Sequence, residues 1–226
     1  MDIPIQAILF LGIIPALILL FLSIKGYEGY YKEKTMFLTF VIGIILGVVA
    51  ALIRIFVPFI PFEPFSIILF ASFDQLFKTI ILNTRSLQGK KETTIYGLTL
   101  GLGFGSSFVP YLIIVGSVVG STDISYLALI SIGSMGYILF HAASGLLIGY
   151  GISINNLIKY LGFAIIIQIP FNIIADFADP RFPIESYISY FQLVIVIFGA
   201  IYFYYVVNTI MPKIREKRKN KKTNIN

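Results

Sequence analysis

Long apolar runs separated by short polar segments make up most of the chain, up to about residue 211. Each run is about 20 residues long, the length that a helix needs to cross roughly 30 Å of hydrocarbon. Strands of alternating apolar and polar residues, typical of membrane barrels, are absent, so the runs predict helices. We expect an all-α, polytopic transmembrane bundle in a single domain, residues 1–211, with seven spans: Ile5–Ile24, Met36–Val57, Phe65–Asn83, Ile95–Val118, Tyr126–Gly149, Leu157–Phe177 and Ile188–Met211.

The composition excludes an ordinary soluble domain. Hydrophobic residues make up 58% of the chain and charged residues 12%, and the mean hydropathy is +0.91. The chain has no cysteine, which excludes disulfides, thiolate catalysis and cysteine-ligated metal. The first span lacks a preceding basic region and a small-residue cleavage site, so we expect it to be retained as a helix.

Basic residues predict the orientation of the spans. They cluster between the first and second spans, between the third and fourth, near the fifth-to-sixth link and after the seventh. The positive-inside rule then predicts an outside N-terminus, a cytoplasmic C-terminus and an odd number of spans. We expect a multi-pass cell-membrane protein whose basic tail, residues 212–226, contacts anionic lipid rather than nucleic acid.

The third span contains charged and amide side chains within the run FSIILFASFDQLFKTIILN. A charge near the bilayer centre costs about 3 kcal/mol, so Asp74, Gln75 and Lys78 are expected to face the interior of the bundle. Asp74 and Lys78 lie one helical turn apart on one face. They could form a structural ion pair or a working site. Arg54, near the outer end of the second span, is expected to extend towards the interface.

Two further spans carry polar side chains. His141, the only histidine, lies in the fifth span, and Gln168 and Asn172 lie four residues apart in the sixth. Asp176 continues that stripe, and Pro170 within it would kink the helix. We expect the polar faces of spans three, five and six to converge on one buried site.

Small residues recur every four positions in two spans. In the fourth span they are Gly97, Gly101 and Gly105, and in the fifth they are Gly145 and Gly149. Such spacing gives a smooth helix face that another helix can approach closely. We expect these five glycines to be helix-packing positions.

Several catalytic chemistries stay open. A catalytic zinc ion takes about three protein ligands, whereas the candidate ligands here are only His141 and Asp74. An aspartyl dyad would need a second intramembrane carboxylate, and none is evident beside Asp74. A serine nucleophile paired with His141 would come from Ser106, Ser107 or Ser144.

The order of these motifs resembles the PrsW and type II CAAX-protease superfamily of intramembrane peptidases, over residues 65–178. The resemblance rests on DQLFK from Asp74 to Lys78, GFGSSFV from Gly103 to Val109, FHAASGLLIG around His141, and QIPFN from Gln168 to Asn172. The family's second glutamate, its later glutamate and its second histidine are replaced here.

The resemblance implies two functions. A peptidase would use Asp74, Gln75, Lys78 and His141 on a membrane-associated polypeptide, with zinc held by His141 and Asp74. The chain is also similar to the anterior-pharynx-defective scaffold subunit of gamma-secretase, which implies a catalytically degenerate scaffold that binds transmembrane helices of a partner. The replaced ligands and acids favour the scaffold, with Gln168 and Asn172 in its polar cluster and a partner's helices against the smooth faces of spans four and five. A small transporter is a third hypothesis.

Overall fold

The computed structural model describes residues 5–57, 63–118, 124–179, 181 and 185–223. Within these ranges the chain is helical and contains no strand. The helices in chain order are α1 (Ile5–Ile24), α2 (Glu33–Phe56), α3 (Pro64–Leu82), α4 (Thr93–Ser106), α5 (Phe108–Val118), α6 (Ile124–Ser153), α7 (Leu157–Ala178) and α8 (Glu185–Thr223).

The helices confirm the all-α polytopic class. Among the described residues, six helical stretches are long and apolar enough to cross a membrane. One of them, residues 93–118, combines α4 and α5, which only Ser107 separates. The shorter apolar stretch Phe10–Ile24 belongs to α1, the first of the seven predicted spans. The direction in which the chain crosses the membrane stays a prediction.

Local sequence explains where α3 begins. Pro64 occupies the first turn, where a missing backbone N–H costs nothing. The Glu63 side chain accepts a hydrogen bond from the Ser66 backbone N–H, which satisfies one of the free donors of that turn.

At the other end of the chain, α8 does not end near Met211. It continues through the basic segment to Thr223, so most of the predicted tail is a helical extension.

The centre of the bundle is α4, whose residues are all buried. It packs mainly against α6 and α2, and α1 also contacts it. Outside this core, α8 packs against α6, and α7 lies between α3 and α8. A helix that is apolar on all sides is expected to be buried in this way. The arrangement places α2, α3, α6 and α7 around the polar side chains of the spans.

The predicted glycine faces of α4 and α6 lie against each other. A Cβ atom added at Gly97 would lie 2.2 Å from the Gly145 carbonyl oxygen, and one at Gly101 would lie 2.1 Å from the His141 carbonyl oxygen. Gly105 and Gly149 continue the same interface, with Cβ positions 2.6 Å from Ile138 Cα and 2.4 Å from the Thr93 carbonyl oxygen. The expectation that these faces receive a partner's helix is therefore wrong, because the chain covers them itself.

The opposite side of α4 makes a second close contact, with α2, that the sequence reading missed. A Cβ atom at Gly43 would lie 2.2 Å from the Leu100 carbonyl oxygen, and one at Gly103 would lie 2.1 Å from the Phe40 carbonyl oxygen. Small residues on both sides thus let α4 approach two neighbours at backbone distance.

Candidate functional site

The Asp74 carboxylate pairs with Arg54 of α2, not with Lys78. The Arg54 guanidinium donates two hydrogen bonds to the carboxylate, at 3.1 Å and 2.6 Å, in a bidentate arrangement. The Asp74 side chain is fully buried, and 12% of the Arg54 side chain is exposed. The ion pair between Asp74 and Lys78, one of the two alternatives for α3, does not form, and the Arg54 side chain turns to Asp74 instead of extending towards the interface. A guanidinium matches a carboxylate in geometry better than an ammonium one turn away.

Two glutamines extend this pair across to α7. The Gln168 amide donates to Asp74 Oδ2 at 2.5 Å and accepts a hydrogen bond from the Gln75 amide. Both glutamines are fully buried. The hydrogen bonds therefore join α2, α3 and α7 through a continuous chain: Arg54, Asp74, Gln168 and Gln75.

Lys78 is paired with α6 instead. Its Nζ atom lies 3.2 Å from His141 Nδ1 and donates to the Ser144 hydroxyl at 2.7 Å. The Ser144 hydroxyl in turn donates to the His141 carbonyl oxygen at 3.1 Å. An ammonium on Lys78 has donors only; with that charge, His141 Nδ1 accepts the hydrogen bond and the ring proton lies on Nε2. All three side chains are at most 1% exposed.

Aromatic rings surround the histidine. The His141 ring stacks on Phe108 with a centroid distance of 5.0 Å, and Phe104 lies 4.8 Å away. Phe104 also contacts the Lys78 ammonium, 5.1 Å from its ring centroid. The rings hold the imidazole in one orientation and separate it from lipid.

Asn172, the middle residue of the α7 polar stripe, also contacts α3. Its side-chain N–H group donates to the Ile67 carbonyl oxygen on α3 at 3.1 Å. Of the residues predicted to converge, Asp74, Gln75, Lys78, His141, Gln168 and Asn172 thus all contact a neighbouring helix at this level of the bundle.

A cavity of about 70 Å³ lies beside this network. Arg54, Asp74, His141 and Asn172 line it, whereas Gln75, Lys78 and Gln168 do not. Its lining also includes residues at one end of the bundle, with Val57 and Arg181 among them. The candidate site therefore divides into a part that borders the cavity and a part that is sealed among helices.

A second ion pair lies near that end. Arg181 donates to both carboxylate oxygens of Asp179 at 2.8 Å and to the Tyr111 hydroxyl at 2.8 Å. Partial burial acts to lower the pKa of the Arg181 guanidinium, but the hydrogen bonds with Asp179 hold that pKa above its ordinary value. Both members of the pair line the cavity.

The described residues do not fit a zinc site. They contain no group of three histidine, cysteine, aspartate or glutamate side chains that could hold a metal ion. Both oxygens of Asp74 already accept hydrogen bonds, and Nδ1 of His141 faces the Lys78 ammonium.

Sequence reasoning placed Arg54 outside the network and named Ser144 only as one of three possible nucleophiles for His141, whereas Ser144 binds Lys78 and the His141 carbonyl oxygen. Arg54 gave a usable signal, since it is the only charged residue inside the second apolar run. Arg54 and Asp74 are 20 residues apart in the sequence, so local spacing does not indicate that they pair. Ser144 gave little signal, because serine is common in membrane helices as a packing residue.

No protein-family model matches the chain, and no curated protein or solved structure matches it significantly. Fold and site together define its class: it is an all-α integral membrane protein with several spans and a buried polar network. The likeness to the PrsW and CAAX-protease superfamily stays a prediction.

Proposed function

We propose that this protein is a catalytically silent membrane scaffold that binds a transmembrane helix of a partner protein. The observation that supports it most is the pairing of every charged side chain in the described network with a group on another helix. Removing one partner from such a buried pair is costly, which favours a single arrangement of the helices. A scaffold needs that rigidity. Its place would be the cell membrane, with the N-terminus outside.

The bidentate pairing of Asp74 argues against an acid or base in catalysis. A general base must reach the proton that it removes, and here Arg54 and Gln168 occupy the carboxylate. Lys78 and Ser144 are separated from the cavity, so a serine–lysine nucleophile would not meet a substrate there.

The contact surface for the partner would lie on α7. Of the six long spans, α7 buries the smallest share of its most apolar stretch. Its outer side carries large apolar side chains, with Ile158 and Ile166 being 87% and 63% exposed. The polar side of the same helix is fixed to α3, so α7 would present this surface in a constant orientation.

A photo-crosslinking residue at position 166, incorporated in cells that make the native protein, tests the scaffold. We expect a polypeptide adduct of one defined mass, and a matched crosslinker at Ile201 on α8 should give a different pattern. Asp74→Ala should destabilise the protein or abolish the adduct. Lipid adducts alone at position 166, or unchanged folding and association in Asp74→Ala, would contradict the proposal.

An intramembrane peptidase is the second candidate, and the cavity is the observation that favours it. Asp74 and His141, the two residues that a peptidase would need most, both line that cavity. Water reaching them there would be the nucleophile. Cleavage of a model membrane polypeptide that disappears in both Asp74→Asn and His141→Ala is the required result. Activity that survives either change would remove this candidate.

A further inference from the structure

Lys78 has no carboxylate among its hydrogen-bond partners in the part of the chain that the structure describes. Its side chain is fully buried, and it bonds with His141 Nδ1 at 3.2 Å and with the Ser144 hydroxyl at 2.7 Å. The Asp74 carboxylate, one turn away on α3, accepts from Arg54 instead. Lysine changes its charge in buried sites much more readily than arginine. Lys78 is therefore the basic group of the network that is suited to exchange a proton.

The surroundings of Lys78 leave one partner for that exchange. The charged or titratable groups that the surrounding helices contribute to the adjacent cavity are Asp74 on α3, Arg54 on α2, Tyr111 on α5, Tyr137 on α6 and Asp176 on α7. Among the described residues, only His141 is both titratable and hydrogen-bonded to Lys78. On the α4 side Lys78 meets the uncharged ring of Phe104. A proton that leaves Lys78 along a hydrogen bond to a titratable group therefore passes to His141.

His141 borders Lys78 on one side and the cavity on the other. Its Nδ1 atom faces Lys78, which does not line the cavity, whereas His141 does. Phe108 stacks on the imidazole face, so the ring edge that carries Nε2 is the part left to border the cavity. The cavity volume of about 70 Å³ has room for water, since one water needs roughly 10–15 Å³. Nε2 can thus pass a proton to water there.

A neutral amine on Lys78 reverses its hydrogen bond with His141. An amine has two N–H donors and one lone pair, and Nζ meets Ser144, the Phe104 ring and His141 in three directions. A lone pair facing the ring is unfavourable, because the ring face is negative. The Ser144 hydroxyl already donates to the His141 carbonyl oxygen. The lone pair is best placed toward the imidazole, which then carries its proton on Nδ1.

We propose that Lys78 and His141 form a proton-binding site that exchanges its proton with the cavity, and so with the end of the bundle that carries Asp179 and Arg181. On release, the Nζ–H bond of Lys78 breaks and an Nδ1–H bond forms on His141. The Nε2–H bond breaks in turn, and its proton goes to water in the cavity. The imidazole stays neutral, Lys78 becomes an amine, and uptake is the reverse. This site does not depend on whether α7 binds a partner helix.

The single histidine of the chain allows a direct test, because nitrogen-15 histidine labelling reports on this ring alone. NMR of the full chain in detergent micelles distinguishes the ring nitrogen that carries a proton from the one that accepts a hydrogen bond. We expect the proton on Nε2 at about pH 5 and on Nδ1 at about pH 10, with a neutral ring throughout. The same tautomer at both ends of this range, or a ring protonated on both nitrogens, would overturn the proposal.

Variants of Lys78 test whether this residue causes the reversal. Lys78→Arg keeps a donor that stays charged over the whole range, so the ring proton should remain on Nε2. If Lys78→Arg does not fold, Lys78→Met, which has no amine, should likewise show no reversal. Tyr137→Phe is the control, because it removes another titratable group from the cavity lining and should leave the reversal unchanged. A reversal that persists without Lys78, or that is lost in Tyr137→Phe, contradicts the assignment.

The part played by the cavity is tested by filling it. Ala175 on α7 lines the cavity, so Ala175→Leu should slow the exchange of the Nε2 proton with solvent severalfold and leave the reversal of tautomers in place. Gly162→Leu is the matched control on the same helix, because an added side chain there meets open space and should leave the rate unchanged. Equal exchange rates in the parent and both variants would show that the proton does not leave through the cavity.

Discussion

The interface between α4 and α6 and the polar network around Asp74 hold the same bundle by opposite means. At the first, glycines bring two backbones so close that an added Cβ would lie 2.1 Å from a carbonyl oxygen. At the second, long side chains of α2, α3, α6 and α7 bridge wider gaps with charges and amides. His141 belongs to both, since its carbonyl oxygen faces Gly101 and its ring faces Lys78.

The contrast shows two ways to associate helices where burial of apolar surface gives no driving force. Lipid tails are as apolar as leucine, so helices in a membrane associate through close packing and hydrogen bonds. The glycine interface tolerates no added volume, and the polar network tolerates no unpaired charge. Unfolding of purified variants in mixed micelles distinguishes the two mechanisms.

The largest effect is expected where a buried charge loses its partner. Arg54→Met leaves the Asp74 carboxylate without its guanidinium and should lower the free energy of unfolding by about 3–5 kcal/mol. The double variant Arg54→Met/Asp74→Leu should recover much of this loss, because neither charge remains. A single variant as stable as the parent, or a double variant no better than the single one, would show that the pair contributes little.

A somewhat smaller effect is expected at the glycine interface. Gly101→Ala places a methyl group against the His141 backbone and should cost about 3 kcal/mol, at the upper end for overpacking. Gly162→Ala on α7 is the control, because nothing lies within 4 Å of its Cβ position. That change should be neutral or slightly stabilising. Equal stability of the two variants would mean that the helices separate at little cost.

Replacing the bridging amide tests how far the polar network depends on α7. Gln168→Leu removes the hydrogen bond to Asp74 and the acceptor of Gln75, and should cost about 2 kcal/mol. Gln192→Leu, which removes one bond to the neutral Ala178 carbonyl, should cost less. A larger loss of unfolding free energy in Gln192→Leu than in Gln168→Leu would show that the charge of Asp74 does not account for the stabilising effect of the Gln168 hydrogen bonds.

The smallest effect is expected for a neutral pair between α2 and α4. The hydroxyls of Thr39 and Thr99 lie 2.6 Å apart and are buried. Thr39→Val keeps the volume and should cost roughly 0.6 kcal/mol, the usual scale for a hydrogen bond between membrane helices. A loss as large as that of Arg54→Met would mean that neutral hydroxyls matter here as much as charges.

Much of the fold could be predicted because the membrane imposes a simple rule on sequence. Helices must satisfy their own backbone groups and be about 20 residues long, so apolar runs locate them. The same rule identified Asp74, Lys78 and Gln168 as interior residues. It gave the wrong partner for Asp74, because i to i+4 spacing is visible in a sequence and contact between α2 and α3 is not.

The sequence by itself determined the class of the protein, the location of its helices and which side chains avoid lipid, because these depend on composition and local periodicity. Only the tertiary structure decided that Arg54 pairs with Asp74, that Lys78 turns to His141 and Ser144, and that the α4 and α6 glycines meet each other. These choices depend on how each helix is rotated about its axis. That rotation is set by the packing of all the helices together, and no single helix encodes it.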